Sequence, residues 1–365
     1  MRISVANIEK NMIIDEDIYN EDGGLILSKG LSVSDENILK DLLIKNNIKK
    51  VKVLLLAGSH SSSNKIINYD LDSLPYDDNK KREIQTFINE FGNVVDDFEK
   101  EIIDTISGNA DRSKLENLLE ETMKSTMNSG TNVFQLLQKL KDSDDFTFVH
   151  CNSVSLTAYT IGKWLKLSEE SLKELSLAAL VFDVGKFSVP KEILQKEGTL
   201  TDDEYTIVKS HVEKSLEILR PYNLSDNIMN AVKYHHERCD GSGYPYGLKA
   251  NQIPTMARIL ALADMFVALT SKRPHRDKYT PFQAIKILEE DYMQKLDIVI
   301  LSEFIKRIAT NYVGNMVRLS NGLEGEVLFI NATAPLRPII KIISTGDLID
   351  LSSKINSEIY IKEFV

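Results

Sequence analysis

Tyr234-His235-His236-Glu237-Arg238-Cys239-Asp240-Gly241-Ser242-Gly243-Tyr244-Pro245 sets two adjacent imidazoles directly ahead of a glycine-rich turn closed by proline. Imidazoles ligate divalent ions, and glycines let backbone approach a bound group closely. The stretch reads as a metal site beside a substrate loop. The chain has six histidines, and four of them (His150, His211, His235, His236) fall in one segment, which also carries Asp183-Val184-Gly185-Lys186 and Asp264. Scattered surface histidines would not cluster in this way.

Working outward, residues 140–310 are nearly all helical by period, with breaks at Gly185, Pro190, Gly198, Pro221 and the loop 241–247. Leu177-Ala178-Ala179-Leu180-Val181 puts a small-residue, apolar helix immediately before Asp183, and the run from Ala257 to Ala263 does the same before Asp264. A carboxylate buried in such surroundings is costly, and a metal ion is one of the few partners that offsets the cost. The candidate ligands are His150, Asp183, His211, His235, His236 and Asp264. Taken singly, each has an ordinary alternative as a helix cap or a satisfied core histidine. Their clustering favours the metal.

At 365 residues the chain is expected to form two or three domains, each with its own core. A hydrophobic fraction of 42% and a charged fraction of 27% are those of a globular protein. No run approaches the roughly 18 uncharged apolar residues of a membrane span, and Met1 to Lys10 contains no apolar signal region. The cytoplasm is the expected location. Cys151 and Cys239 are too few for a disulfide framework and read as reduced thiols. The net charge of −10 disfavours binding to a nucleic-acid polymer, which needs basic side chains to displace counterions.

Along the chain, residues 1–57 read as a small N-terminal α/β module. It has a turn at Glu21-Asp22-Gly23-Gly24 and a helix from an N-cap near Ser34 carrying Ile38, Leu39, Leu42 and Leu43 on one side. Residues 58–79 read as a linker, because Gly58 to Asn64 is small and polar and His60 within it is a solvated residue. Residues 80–139 form a helical connecting region. Ile84, Ile88, Phe91, Val95, Phe98 and Ile102 alternate in fours and threes, a seam that either packs on its own domain or makes a homodimer through helix 84–106. The C-terminal part, 311–365, reads as a small β-domain with strands at 316–319, 326–330 and 339–343. Asn321-Gly322 marks a hairpin, and Pro335 and Pro338 limit the strands beside them.

The segment from about Phe146 to Tyr292 resembles the HD-GYP family of metal-dependent phosphohydrolases. The motifs that carry the resemblance are the His150 helix, Asp183-Val184-Gly185-Lys186 followed by Val189-Pro190, His211, His235-His236-Glu237 through Gly243-Tyr244-Pro245, Ala257-Arg258-Ile259, Ala263-Asp264 and Arg273-Pro274-His275-Arg276. The resemblance implies a mainly α chain: an all-helical HD-GYP domain at 140–310 flanked by the small α/β and β modules. It implies hydrolysis of cyclic di-GMP to the linear dinucleotide or to GMP, with iron or manganese. It implies that His150, Asp183 and Asp264 serve one ion, and that Asp183, His211, His235 and His236 serve a second. In the same pattern Asp183 and Lys186 are catalytic, Lys186 neutralising phosphate charge. Gly243, Tyr244 and Pro245 shape the substrate loop, and Arg273 and Arg276 clamp phosphate oxygens.

Two positions depart from that pattern. Phe182 stands where the family has the histidine of its HD pair, and Phe146 stands where three-metal members have a glutamate, so two ions or fewer are expected. Two readings follow: a cyclic di-GMP phosphodiesterase with one ligand missing, or a degenerate domain that senses a nucleotide or binds a signalling protein. A helical scaffold with purely structural histidines is a third, and it leaves the match from Tyr234 to Pro245 unexplained.

Overall fold

A computed structural model of the chain describes residues 2–5, 8, 13–14, 16–19, 25–27, 33, 36–54, 78–127, 133–138, 146–196, 198–271, 278–331 and 333–364. The expectations placed on the turn at 21–24, Ser34, His60 and nearly all of the linker, and on Arg273, Pro274, His275 and Arg276, fall outside the described residues. The chain is mainly α and divides into two compact units, Met1–Leu156 with Ser176–Lys233, and Thr157–Leu175 with Tyr234–Val365.

The first unit opens on short strands β1 (Arg2–Ser4), β2 (Ile13–Ile14), β3 (Ile18–Tyr19) and β4 (Leu25–Leu27), followed by α1 (Glu36–Lys45) and β5 (Lys50–Leu54). β5 is the middle strand of an antiparallel sheet, with Ile3 opposite Val51 and Ile14 opposite Val53. α1 buries Leu39 and Leu43, one i,i+4 row, while Ile38 and Leu42 are exposed. The expected four-residue stripe is therefore too wide: a ten-residue helix on so small a core needs only one row.

Next come α2 (Asp78–Ile106), α3 (Arg112–Met127) and α4 (Val133–Gln138). All six residues of the α2 seam are at most 4% exposed within the single chain, and Phe98 meets Phe148 edge-on at 5.3 Å. Packing inside the chain covers this seam, the first of the two alternatives that its period left open. A heptad-like period gives the direction of an apolar face and not the identity of what covers it. Farther along α2, the buried Glu101 carboxylate accepts from the Tyr222 hydroxyl at 2.9 Å and the Asp111 amide at 3.0 Å, and Thr105 also hydrogen-bonds to the Tyr222 hydroxyl.

α5 (Phe146–Trp164) and α6 (Glu169–Val181) are shared between the two units, and within the first the Ser155 hydroxyl donates to the Ser176 carbonyl at 2.8 Å. A 3₁₀ turn (Val184–Ser188), α7 (Lys191–Leu194), α8 (Asp202–Lys209), α9 (His211–Leu219), a second 3₁₀ turn (Arg220–Tyr222) and α10 (Asp226–Tyr234) follow. α8 starts at a capping box in which Thr201 and Glu204 each accept the other's backbone amide, and Lys196 pairs with Glu204 at 2.6 Å.

The second unit contains α11 (Thr255–Thr270), α12 (Pro281–Asp291) and α13 (Ile298–Thr310). Phe304 of α13 gathers Phe266 at 5.0 Å and Trp164 at 6.2 Å. Asp297 caps α13 through the Val299 and Ile300 amides and pairs with Arg258 of α11. Five antiparallel strands complete the unit: β6 (Met316–Leu319), β7 (Glu324–Asn331), β8 (Ala334–Ile342), β9 (Leu348–Asp350) and β10 (Ile361–Phe364), in the order β10-β6-β7-β8-β9. Gly322 takes the positive φ of +85° that the Asn-Gly turn needs. Pro335 and Pro338 lie inside β8 rather than limiting it. They fall where the β7 register shifts and ahead of the residues that pair with β9, so no ladder donor is missed.

Candidate metal centre

Asp183 follows the apolar end of α6 and is fully buried, as are Leu180, Val181 and Phe182 before it. The 3₁₀ turn after it lies flat on α9. A Cβ at Gly185 would fall 2.0 Å from the His211 carbonyl oxygen and 2.5 Å from the Ser215 amide, so only glycine permits the approach. The Ser215 hydroxyl accepts from the Gly185 amide and donates to the Phe182 carbonyl, both at 2.8 Å. This docking sets His211, the first residue of α9, with Nε2 3.2 Å from Asp183 Oδ1. His211 Nδ1 lies 2.6 Å from the Val208 carbonyl oxygen, which puts the proton on Nδ1 and the lone pair on Nε2.

On the other side of the carboxylate, His150 Nε2 from α5 is 4.0 Å from Asp183 Oδ2, and Lys186 Nζ is 2.5 Å from the same oxygen. The Lys186 ammonium thus offsets a charge that burial alone would make costly. Phe182 is fully buried with its ring centroid 5.9 Å from that of His150. It gives the His150 side an apolar wall and no donor atom.

The second unit resumes at Tyr234 with His235 and His236, whose rings are 4.0 Å apart. The loop behind them folds back onto its own start. The Tyr244 ring stacks on His236 at 4.5 Å, and the Tyr244 amide donates to the His236 carbonyl at 3.2 Å. A Cβ at Gly243 would meet the Arg238 amide at 2.3 Å and the His236 carbonyl at 2.5 Å. Glu237, 2% exposed, accepts from the Tyr246 amide at 2.7 Å and the Leu248 amide at 2.8 Å, one on each carboxylate oxygen. The Ser242 hydroxyl, with the Ser242 amide, holds the Asp240 carboxyl below its ordinary range. Asp264 is buried on α11, whose other buried residues are all apolar, from Ala257 and Ile259 to Phe266 and Val267.

Among the described residues, two groups of side chains bring their ligand atoms within 4.8 Å of one another: Asp183 with His211, His235 and His236, and His150 with Asp183 and Asp264. Asp183 belongs to both. The first group offers three nitrogens and a carboxylate, the second one nitrogen and two carboxylates, donor sets that fit a divalent ion. Neither cysteine takes part. Burial pushes the Cys239 thiol up, with Asp297 adding to the shift, which keeps it protonated.

Reading the residues alone missed Ser215 and gave Glu237, quoted with the histidine pair, no role of its own. Ser215 had one signal, its place four residues after His211 on the same helix face. Glu237 had another, its position immediately after the histidine pair.

Residues 120–300 match the HD domain family. The chain is 33% identical over 233 residues to a cyclic di-GMP phosphodiesterase of Pseudomonas aeruginosa, an alignment covering 64% of this chain and 56% of that protein. It is 38% identical over 146 residues to a 3′3′-cGAMP-specific phosphodiesterase of Vibrio cholerae, covering 40% and 34%. A third relative is a cyclic di-GMP phosphodiesterase response regulator of Xanthomonas campestris, 35% identical over 175 residues, covering 47% and 44%. The chain thus spans between 34% and 56% of the length of these relatives. A solved structure described as an HDG"Y"P protein from Bdellovibrio bacteriovorus shares the fold at a TM-score of 0.52 and 16% identity, over 83% of this chain and 97% of that one.

Proposed function

We propose that this chain, whose residues 120–300 match the HD domain family, is a metal-dependent phosphodiesterase hydrolysing cyclic dinucleotides, with cyclic di-GMP the substrate and the linear dinucleotide or GMP the product. The observation that carries the reading is the sharing of Asp183 by the two ligand groups. Two-metal phosphodiester hydrolysis uses such a bridging carboxylate.

In this reading Asp183, His211, His235 and His236 hold one ion, iron or manganese, and His150, Asp183 and Asp264 hold the other. Bound there, a divalent ion supplies Lewis acidity toward a phosphoryl oxygen and lowers the pKa of water. The chain supplies orientation and charge. The His211 pairing with Val208 fixes which nitrogen faces Asp183. Lys186, held 2.5 Å from Asp183, sets a positive charge near the place where the attacked phosphate gains negative charge. Gly243, Tyr244 and Pro245 form the loop that shapes the substrate side, and Arg273 and Arg276 clamp phosphate oxygens with their planar guanidinium forks. No described helix is long and apolar enough to cross a membrane, and the reading assigns the chain to the cytoplasm, with a small cyclic dinucleotide and not a nucleic-acid polymer as partner.

Phe182 favours a second reading, a sensor that binds the dinucleotide or a signalling protein without turnover, because the buried ring beside His150 offers no ligand atom. The test uses anaerobically purified protein loaded separately with ferrous iron and with manganese, given cyclic di-GMP, and followed by chromatography for linear dinucleotide and GMP. Wild-type turnover that falls to background in Asp183→Ala is the expected result. Activity found only in Phe182→His would overturn the enzyme reading in favour of the sensor, and activity in neither protein would remove the phosphodiesterase altogether.

A further inference from the structure

Tyr246 has no place in the ligand groups, and the residue is 53% exposed although its backbone amide is fixed. Its amide donates to one oxygen of Glu237 at 2.7 Å, and the amide of Leu248 donates to the other at 2.8 Å. Glu237 is buried and directly follows His236 in the chain. The Tyr246 ring packs edge-to-face with Tyr234 at 5.9 Å, and Tyr234 directly precedes His235. The exposed ring is therefore tied through its backbone to one end of the histidine pair and through its side chain to the other.

That combination sets it apart from Tyr19 and Tyr360, which are equally exposed but lie in β3 and just ahead of β10. An aromatic ring left half in water gives up much of the free energy that burying it would contribute. The same ring gains it back when a flat partner covers it. In a cyclic dinucleotide each phosphate is joined through ribose to a purine, so a phosphodiester at the histidine pair carries a base to the adjoining loop.

We propose that Tyr246 is the stacking surface for one purine base of the dinucleotide, presented beside His235 and His236 by the Glu237 clamp. The inference rests on the cyclic dinucleotide reading above. Stacking needs only a π-face on each partner, so it holds a base without a hydrogen-bond code. Tyr246 then adds affinity for either purine, and discrimination between bases comes from other contacts.

The test compares the full-length wild type with Tyr246→Ala and Tyr246→Phe, each manganese-loaded with ion content measured by atomic emission. Equilibrium dialysis after the metal is stripped with chelator, so that no ligand is consumed, gives the Kd for labelled cyclic di-GMP, and steady-state hydrolysis by the manganese-loaded proteins gives KM and kcat. The alanine variant is expected to bind about tenfold more weakly, which is about 1.4 kcal/mol and within the range for one base on one aromatic ring. Its KM rises in parallel while kcat and metal content stay at the wild-type level. Tyr246→Phe, which keeps the ring, binds within about twofold of the wild type.

Wild-type affinity in the alanine variant, or equal weakening in the phenylalanine variant, would overturn the proposal. A wild type that binds but does not hydrolyse would sink the phosphodiesterase reading, while the dialysis series still decides the role of Tyr246. A wild type that neither binds nor hydrolyses cyclic di-GMP sinks both.

Discussion

A methyl group at Gly185 would fall 2.0 Å from the carbonyl oxygen of His211, and backbone cannot yield cheaply at that distance. In Gly185→Ala the turn after Asp183 has to lift off α9, and His211 Nε2 leaves its position 3.2 Å from Asp183 Oδ1. We expect manganese affinity, measured by titration with atomic emission, to fall at least about tenfold, the scale set by changes around metal ligands. Unaltered affinity would mean that the turn does not set the histidine. The six ligand candidates were legible in the sequence because imidazole and carboxylate side chains stand out against apolar helices. The roles of Ser215 and Glu237 were not, because their partners are backbone groups of Gly185, Phe182, Tyr246 and Leu248, brought to them by packing that a linear chain does not display.

α2 meets the turn after α9 through the hydroxyl of Tyr222. Burial pushes that hydroxyl well above the ordinary tyrosine range, against a lowering by Thr105, and the hydrogen bond to the Glu101 carboxylate raises it further. The native state therefore keeps a proton that the unfolded chain gives up near pH 10. The stabilisation is complete below about pH 10 and is lost as pH rises beyond it, because the unfolded form then binds fewer protons than the native form. Urea midpoints measured upward from pH 9 are expected to fall more steeply in the wild type than in Tyr222→Phe, with Tyr312, which burial shifts in the same direction, leaving a residual slope. Parallel profiles would sink this assignment. At this scale the sequence was readable where a rule is local, as in the Asn321-Gly322 hairpin. It was ambiguous where the partner decides, as with the α2 seam, which is covered within its own chain.

Across the second unit, the C-terminal sheet is part of the same compact body as α12 and α13, with α13 packing on β7 and β8. Val317, Leu319, Val327, Ile340 and Ile342 are buried, and Phe282 of α12 meets Tyr312 edge-on at 5.4 Å. A chain ending at Val313 uncovers one side of those helices. Its thermal midpoint is expected to fall by at least about 4 °C, the effect of roughly 1–2 kcal/mol in a domain of this size. An unchanged midpoint in calorimetry would show that the sheet is an independent module. The sheet was legible in outline from its β-like runs, but β9 and β10 are short, and β8 carries two prolines that read as stops.

Those prolines also bear on how the molecule behaves when crowded. Ahead of Ile339 the outer flank of β8 has no strand partner among the described pairings, and an open flank of that kind invites a neighbouring molecule to add a strand and begin a fibril. Pro335 and Pro338 carry no N–H to offer an incoming strand. Arg337 between them donates to the carbonyls of Leu351, Asn356 and Ser357, drawing the following loop over the same flank. The residues that looked like interruptions of the strand are the ones that keep it from being extended by another copy, a protection against aggregation built into the edge itself.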